Sequence, residues 1–157
     1  MKVYHASTIP VESPDTKHSR DKLDFGKGFY LTEIREQAIK YAERFTVRKK
    51  EAYINEYDLD EDLHDFTVKK FLAYDEEWLD YVTLCRKGMQ TKPLYDAVAG
   101  GIANDKVFNT IDLFFAGVIS KAEALGRLKF EVPNHQLCIL NENLIRKHLH
   151  FIKANKL

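Results

Sequence analysis

Apolar positions along the 157-residue chain change period several times, and each change marks an element. Lys2 to Ala6 alternate as a strand. A polar stretch with Pro10 and Pro14 follows to Asp24, which predicts a long loop, and loops of that length in compact domains are often functional. Gly28 to Leu31 predict a second, short strand. Thr32 then stands where a helix cap is expected, with Ile34, Ala38, Tyr41, Ala42 and Phe45 at helical spacing behind it. Ala52 to Leu59 predict a third strand, and Phe71, Trp78, Leu79, Val82 and Cys85 the apolar stripe of a helix that stops near Gly88. Tyr95 to Ala99 predict a strand, and Val107, Ile111, Phe114, Phe115 and Val118 a helix. Ser120 and Glu123 fit a capping box for the next helix. Gln136 to Leu140 follow as a strand, then Asn141 as the cap of a short helix to His148, and Leu149 to Lys153 as a closing strand.

Strands and helices mix without strict alternation, which predicts an α+β fold and not a doubly wound parallel sheet. No linker, repeat or low-complexity segment divides the chain, so residues 1–157 are expected to form one domain.

Composition removes some classes of function. Hydrophobic residues make up 45% and charged residues 31%, ordinary values for a globular domain. Lys plus Arg and Asp plus Glu both number 24, so the basic excess usual in a DNA-held protein is missing. The run Arg48-Lys49-Lys50 reads as a solvated helix end. Cys85 and Cys138 lie far apart in apolar surroundings and are expected as reduced core residues, in keeping with a cytoplasmic location. The first residues are strand-like, not a signal peptide, and no apolar run is long enough to span a membrane. The scattered histidines and cysteines show no metal-ligand spacing, so no metal is expected. Walker, dinucleotide-fingerprint and serine-elbow motifs are missing too.

One ordered set of residues stands out. His5 ends the first strand in Val-Tyr-His-Ala-Ser, Phe-Gly-Lys-Gly-Phe-Tyr-Leu-Thr spans residues 25–32, Tyr41 lies eleven positions after Tyr30, and Gln136 opens a late strand. Singly, each has a plain structural reading: a hydrogen-bonded histidine, a turn and buried strand, a core tyrosine. Together they resemble the ADP-ribosyltransferase superfamily, in the branch of the poly(ADP-ribose) polymerases and diphtheria toxin. Within it, the chain looks closest to an uncharacterised bacterial family known as a domain of unknown function. The likeness runs over nearly the full length, including residues 95–105.

The resemblance implies a split-sheet core with NAD, as substrate, in the cleft between the halves. It implies mono-ADP-ribosyl transfer to a protein or nucleic-acid acceptor and, by analogy, a toxin whose partner is an antitoxin protein. His5 would bond the adenosine ribose. The backbone of Ala6, in the place of a family glycine, would pair with the nicotinamide carboxamide, and Ser7 matches a family serine. Gly26 and Gly28 would let the main chain come close, and Tyr30 and Tyr41 would form a stacking slot for nicotinamide. Two departures stand against full activity. Ala38 replaces a frequent serine, and Gln136 stands where the family has glutamate. Glutamine can bond a ribose hydroxyl but brings no charge to a cationic transition state. It also makes chain-building of ADP-ribose unexpected. Asp96, Asp105 and Glu142 are the acids available to compensate; Asp105 is favoured because Asn104-Asp105 follows a Gly-rich turn, although the pair also suits a helix cap. Gln136 and Asp105 are thus the expected catalytic residues, with Asn104 among those near the cofactor. The rival classes are a catalytically weak or inactive NAD- or ADP-ribose-binding module of the same fold and a purely structural interaction domain.

Overall fold

The structure is a computed structural model and describes residues 1–89, 92–102 and 105–157. The chain runs β1 (Lys2–Ser7), β2 (Phe29–Leu31), α1 (Arg35–Val47), β3 (Tyr53–Leu59), β4 (Val68–Lys70), α2 (Glu76–Arg86), β5 (Ala97–Gly100), α3 (Asp105–Phe115), α4 (Lys121–Leu128), β6 (Gln136–Ile139), α5 (Glu142–His148) and β7 (Leu149–Lys156). It is a mixed α+β architecture with two sheets. One is antiparallel in the order β1-β3-β7; the other has the order β2-β6-β5-β4, with only β4 and β5 parallel. Among the described residues a single bridge joins them, where Tyr4 and Thr32 exchange both main-chain hydrogen bonds.

Side-chain alternation along the strands sorts the core into three clusters. Val3, Tyr57 and Leu59 from the first sheet meet Phe29, Leu31 and Ile139 from the second, with Leu144 and Ile145 of α5 among them. The other face of the second sheet packs Val98 and Cys138 against Trp78, Leu79 and Val82 of α2, Val107 and Ile111 of α3 and Leu128 of α4. The other face of the first sheet takes α1 through Ala38 and Ala42, which lie on Ile54 beside Tyr4 and Ala6. Small residues on that face let the helix come close to the sheet.

Several local signals act as expected. Ser120 and Asn141 accept from Glu123 N and Asn143 N and cap α4 and α5. Gly88, with φ of +66°, follows α2. Cys85 and Cys138 are buried thiols in no disulfide. Others differ. Thr32 does not cap α1 directly, because its bridge to Tyr4 keeps it extended; Ile34 takes the cap position and Thr32 Oγ1 accepts from Ile34 N at 3.1 Å. Phe71 precedes α2 instead of joining its stripe. Asp75 starts that helix by accepting from Trp78 N, while Phe71 N bonds Ala99 O and extends β4. Strand β4 was not expected, since two adjacent lysines hide its period. Ile34 and Tyr41 are exposed, so the buried face of α1 is narrower than the apolar spacing suggested.

Candidate functional site

The strand pair that places His5 and Ala6 begins at the bridge. Hydrogen bonding alternates along an antiparallel strand. Met1 bonds Leu59 across β3, whereas Tyr4 turns its N–H and C=O to Thr32 on the opposite side. Ala6, two residues on, turns the same way. The register carried past the bridge would set Ala6 against Tyr30, but here the strands part. Tyr30 stays on β6 opposite Cys138, and its carbonyl is taken by His5 Nδ1 at 2.8 Å. Among the described residues, the N–H and C=O of Ala6 therefore have no partner and turn to the side of β1 on which Tyr4 meets Thr32.

His5 is partly buried, with its ring 4.5 Å from that of Phe29. Burial pushes its pKa below the ordinary 6.5, and the bond to the Tyr30 carbonyl opposes that in part. Because a carbonyl only accepts, Nδ1 carries the proton. Neutral His5 then presents Nε2 as an acceptor.

The end of β1 is pinned from behind by Asn55, a fully buried residue of β3. Its Nδ2 donates to His5 O at 3.1 Å and to Ser7 Oγ at 2.7 Å, and its Oδ1 accepts from Val11 N at 2.7 Å. Ser7 Oγ in turn donates to Ile9 O. The Ser7 hydroxyl thus holds the start of the long loop. The loop is tied again where Glu142 Oε1 accepts from Thr16 N and Thr16 Oγ1, both at 2.6 Å. A third tie is the ion pair of Asp24 with Arg86 of α2, 2.7 Å long and almost buried.

Tyr30 lies differently from the expected slot. Its ring is on the opposite face of β2 from Phe29, so the rings of Tyr30 and His5 do not share a face. The Tyr30 hydroxyl donates to Gly26 O at 2.7 Å and accepts from Phe25 N at 3.1 Å, and burial raises its pKa well above the usual tyrosine value. Tyr41 sits on α1, 37% exposed, with its ring against Phe45 and the Arg44 guanidinium 4.1 Å from its centroid. No ring contact joins Tyr30 to Tyr41 among the described residues.

The two glycines have local reasons of their own. Gly26 has φ of +89°, a left-handed conformation that favours glycine. At Gly28 a Cβ would fall 2.5 Å from Ile139 O and 2.6 Å from Cys138 Sγ, so the close approach is to β6 itself. A groove of about 410 Å³ borders this segment, lined by Lys22, Gly26, Lys27, Cys85 and Leu140 among others. Burial pushes the Cys85 thiol up to about 11, far from thiolate chemistry at neutral pH.

Gln136 opens β6 opposite Gly100. The register of β2 and β6, carried one step past Leu31 and Leu137, sets Gln136 against Thr32. Tyr4, Thr32, Gln136 and Gly100 therefore form one row across both sheets, next to His5. The Gln136 amide has no hydrogen-bond partner among the described residues. Of the three acids, Asp96 is committed to Thr67 N and Asn141 Nδ2, and Glu142 to Thr16. Asp105 begins α3, but its side chain lies outside what the structure describes, and Asn104 lies outside the described residues altogether. Sequence reasoning missed Asn55 and Arg86; each stands beside a charged residue, Glu56 or Lys87, and nothing local sets it apart.

Residues 1–151 match the model of a family described as a protein of unknown function, DUF3990. The chain belongs to that family. No curated protein and no solved structure matches it. Among the described residues of this family member, no helix is long and apolar enough to cross a membrane, and no group of three or more His, Cys, Asp or Glu is arranged to hold a metal ion.

Proposed function

We propose that the protein binds NAD at the parting of β1 and β2 and transfers a single ADP-ribose unit to a macromolecular acceptor. The open main chain of Ala6 carries this reading. A carboxamide needs one donor and one acceptor side by side, and the Ala6 N–H and C=O supply both, fixed by the strand and needing no reorganisation. His5 Nε2, one residue away, is an acceptor suited to a ribose hydroxyl. In the proposed reaction the bond between ribose C1′ and the nicotinamide nitrogen breaks, and nicotinamide leaves with the electron pair. A nucleophile of the acceptor bonds C1′ and gives up its proton.

Tyr30 in this reading holds the Gly26 turn through its hydroxyl. Gln136 orients a ribose hydroxyl from the adjoining row, and Asp105 is the acid best placed in the sequence to assist. Gln136 also favours a second reading, a module that binds NAD or ADP-ribose and transfers slowly or not at all. Incubating the protein with NAD labelled in its adenylate half, together with cell lysate, separates the two. Label on a protein or RNA supports transfer. Saturable NAD binding without label supports the module. A folded protein that does neither rejects the proposal.

A further inference from the structure

The basic run at the end of α1 is more ordered than a solvated helix end requires. At 100° per residue, Gln37, Lys40, Tyr41, Arg44 and Arg48 fall on one flank of α1, and Glu36 and Glu43 on the other. The contacts agree: Arg44 lies over Tyr41, and Gln37 Oε1 is 3.1 Å from Thr32 Oγ1, which places this flank toward β2 and the row that holds Gln136. Lys49 turns the chain with φ of +56° and Lys50 follows, both exposed. Among the described residues, Lys40, Arg44, Arg48, Lys49 and Lys50 make no ion pair, and the carboxylates of Glu36 and Glu43 lie on the other flank. A chain of zero net charge thus keeps five unmatched cations together, flanking an exposed aromatic ring.

We infer that this flank of α1 binds single-stranded nucleic acid and leads it toward the gap between the sheets. Phosphates would lie along Lys40, Arg44 and Arg48, a track of about 12 Å at the helical rise, with the turn at Lys49 and Lys50 extending it. An unpaired base would stack on Tyr41 and the Arg44 guanidinium plane, the combination that single-strand binders use. The aromatic platform favours nucleic acid over a membrane surface, which needs charge but no ring. As a binding surface the inference stands on its own geometry; as the route of an acceptor it rests on the transferase reading.

The test is fluorescence anisotropy with 20-nucleotide single-stranded RNA and DNA of mixed sequence, without NAD, across a salt series. Saturable binding is expected. The double variant Arg44→Gln/Arg48→Gln should weaken it about tenfold or more and reduce the log–log salt slope by about 1.4, two single-strand contacts' worth. Tyr41→Leu should weaken it about fivefold or more with the slope unchanged. Arg127→Gln, on α4, should leave it within about twofold, and thermal melts confirm that each variant is folded. A higher affinity for the RNA or the DNA arm identifies the polymer. No saturable binding by wild type at low salt overturns the inference. So does equal affinity for polyphosphate with Tyr41→Leu unaffected, or arginine-dependent binding to phosphatidylserine vesicles without oligonucleotide binding. Because NAD is left out, failure here leaves the NAD proposal standing, and failure of NAD binding leaves this one standing.

Discussion

Replacing Asn55 with alanine tests how the candidate site is held. Asn55 is fully buried and makes three hydrogen bonds, to His5 O, Ser7 Oγ and Val11 N. In Asn55→Ala these partners remain, at the junction of β1 and the long loop. A hydrogen bond nets about 1 kcal/mol, but a buried group left unmatched costs about 1–3 kcal/mol. The Ser7 hydroxyl keeps Ile9 O and Val11 is only partly buried, so we take the low end for each and expect a loss of about 3 kcal/mol. For a domain of this size that lowers Tm by about 6–12 °C. Urea unfolding followed by Trp78, the lone tryptophan and fully buried, reads the midpoint and slope directly. Hydrogen exchange should rise in residues 8–16 before it rises in β3, because the loop loses its anchor while the β1–β3 ladder persists. A loss under about 0.5 kcal/mol, with unchanged exchange in the loop, would refute the view that Asn55 holds the site.

Three further outcomes follow from the same geometry. Gly28→Ala should destabilise by about 1–3 kcal/mol, because its Cβ would collide with Ile139 O and Cys138 Sγ; a neutral effect in urea unfolding would show that β2 does not lie so close to β6. Arg86→Met should cost about 3–5 kcal/mol by leaving the almost buried Asp24 carboxylate without its cation, and restoration by a second change, Asp24→Asn, is the check. His5 is held neutral, its folded pKa lying below 6.5, so its contribution to stability is present above the unfolded value and is lost as pH falls from 6.5 through the folded pKa. Wild type should therefore lose more stability than His5→Gln between pH 7.5 and 5.5, and parallel curves for the two would contradict the assignment.

The sequence carried the fold class well, because alternation in β1 and β3 and the caps at Ser120 and Asn141 are local signals that the tertiary structure did not override. Strand β4 escaped notice because a short parallel strand at a sheet edge buries only one side, and Val68-Lys69-Lys70 has no period to read. The candidate site was legible in part. The order of His5, Ala6 and Gln136 pointed to residues that adjoin at the parting of the sheets. The position of the Tyr30 ring was not legible, since a one-residue choice of face is set by which cluster β2 covers, and the Trp78 cluster took it. Nor could spacing reveal that Asp96 and Glu142 are spent on Thr67, Asn141 and Thr16, because those partners are far away in the chain.

In the proposed complex the open main chain of Ala6 receives the carboxamide of NAD. Calorimetric titration of NAD into wild type and Ala6→Pro addresses it, since proline removes the one N–H at issue and lies in a strand position where that N–H bonds no other strand. Saturable binding to wild type is expected, with Kd in the micromolar to millimolar range, roughly 4–8 kcal/mol, weakened about tenfold or more in a variant whose melting stays cooperative. Absence of binding to folded wild type at millimolar NAD, or equal binding by the proline variant, would contradict it.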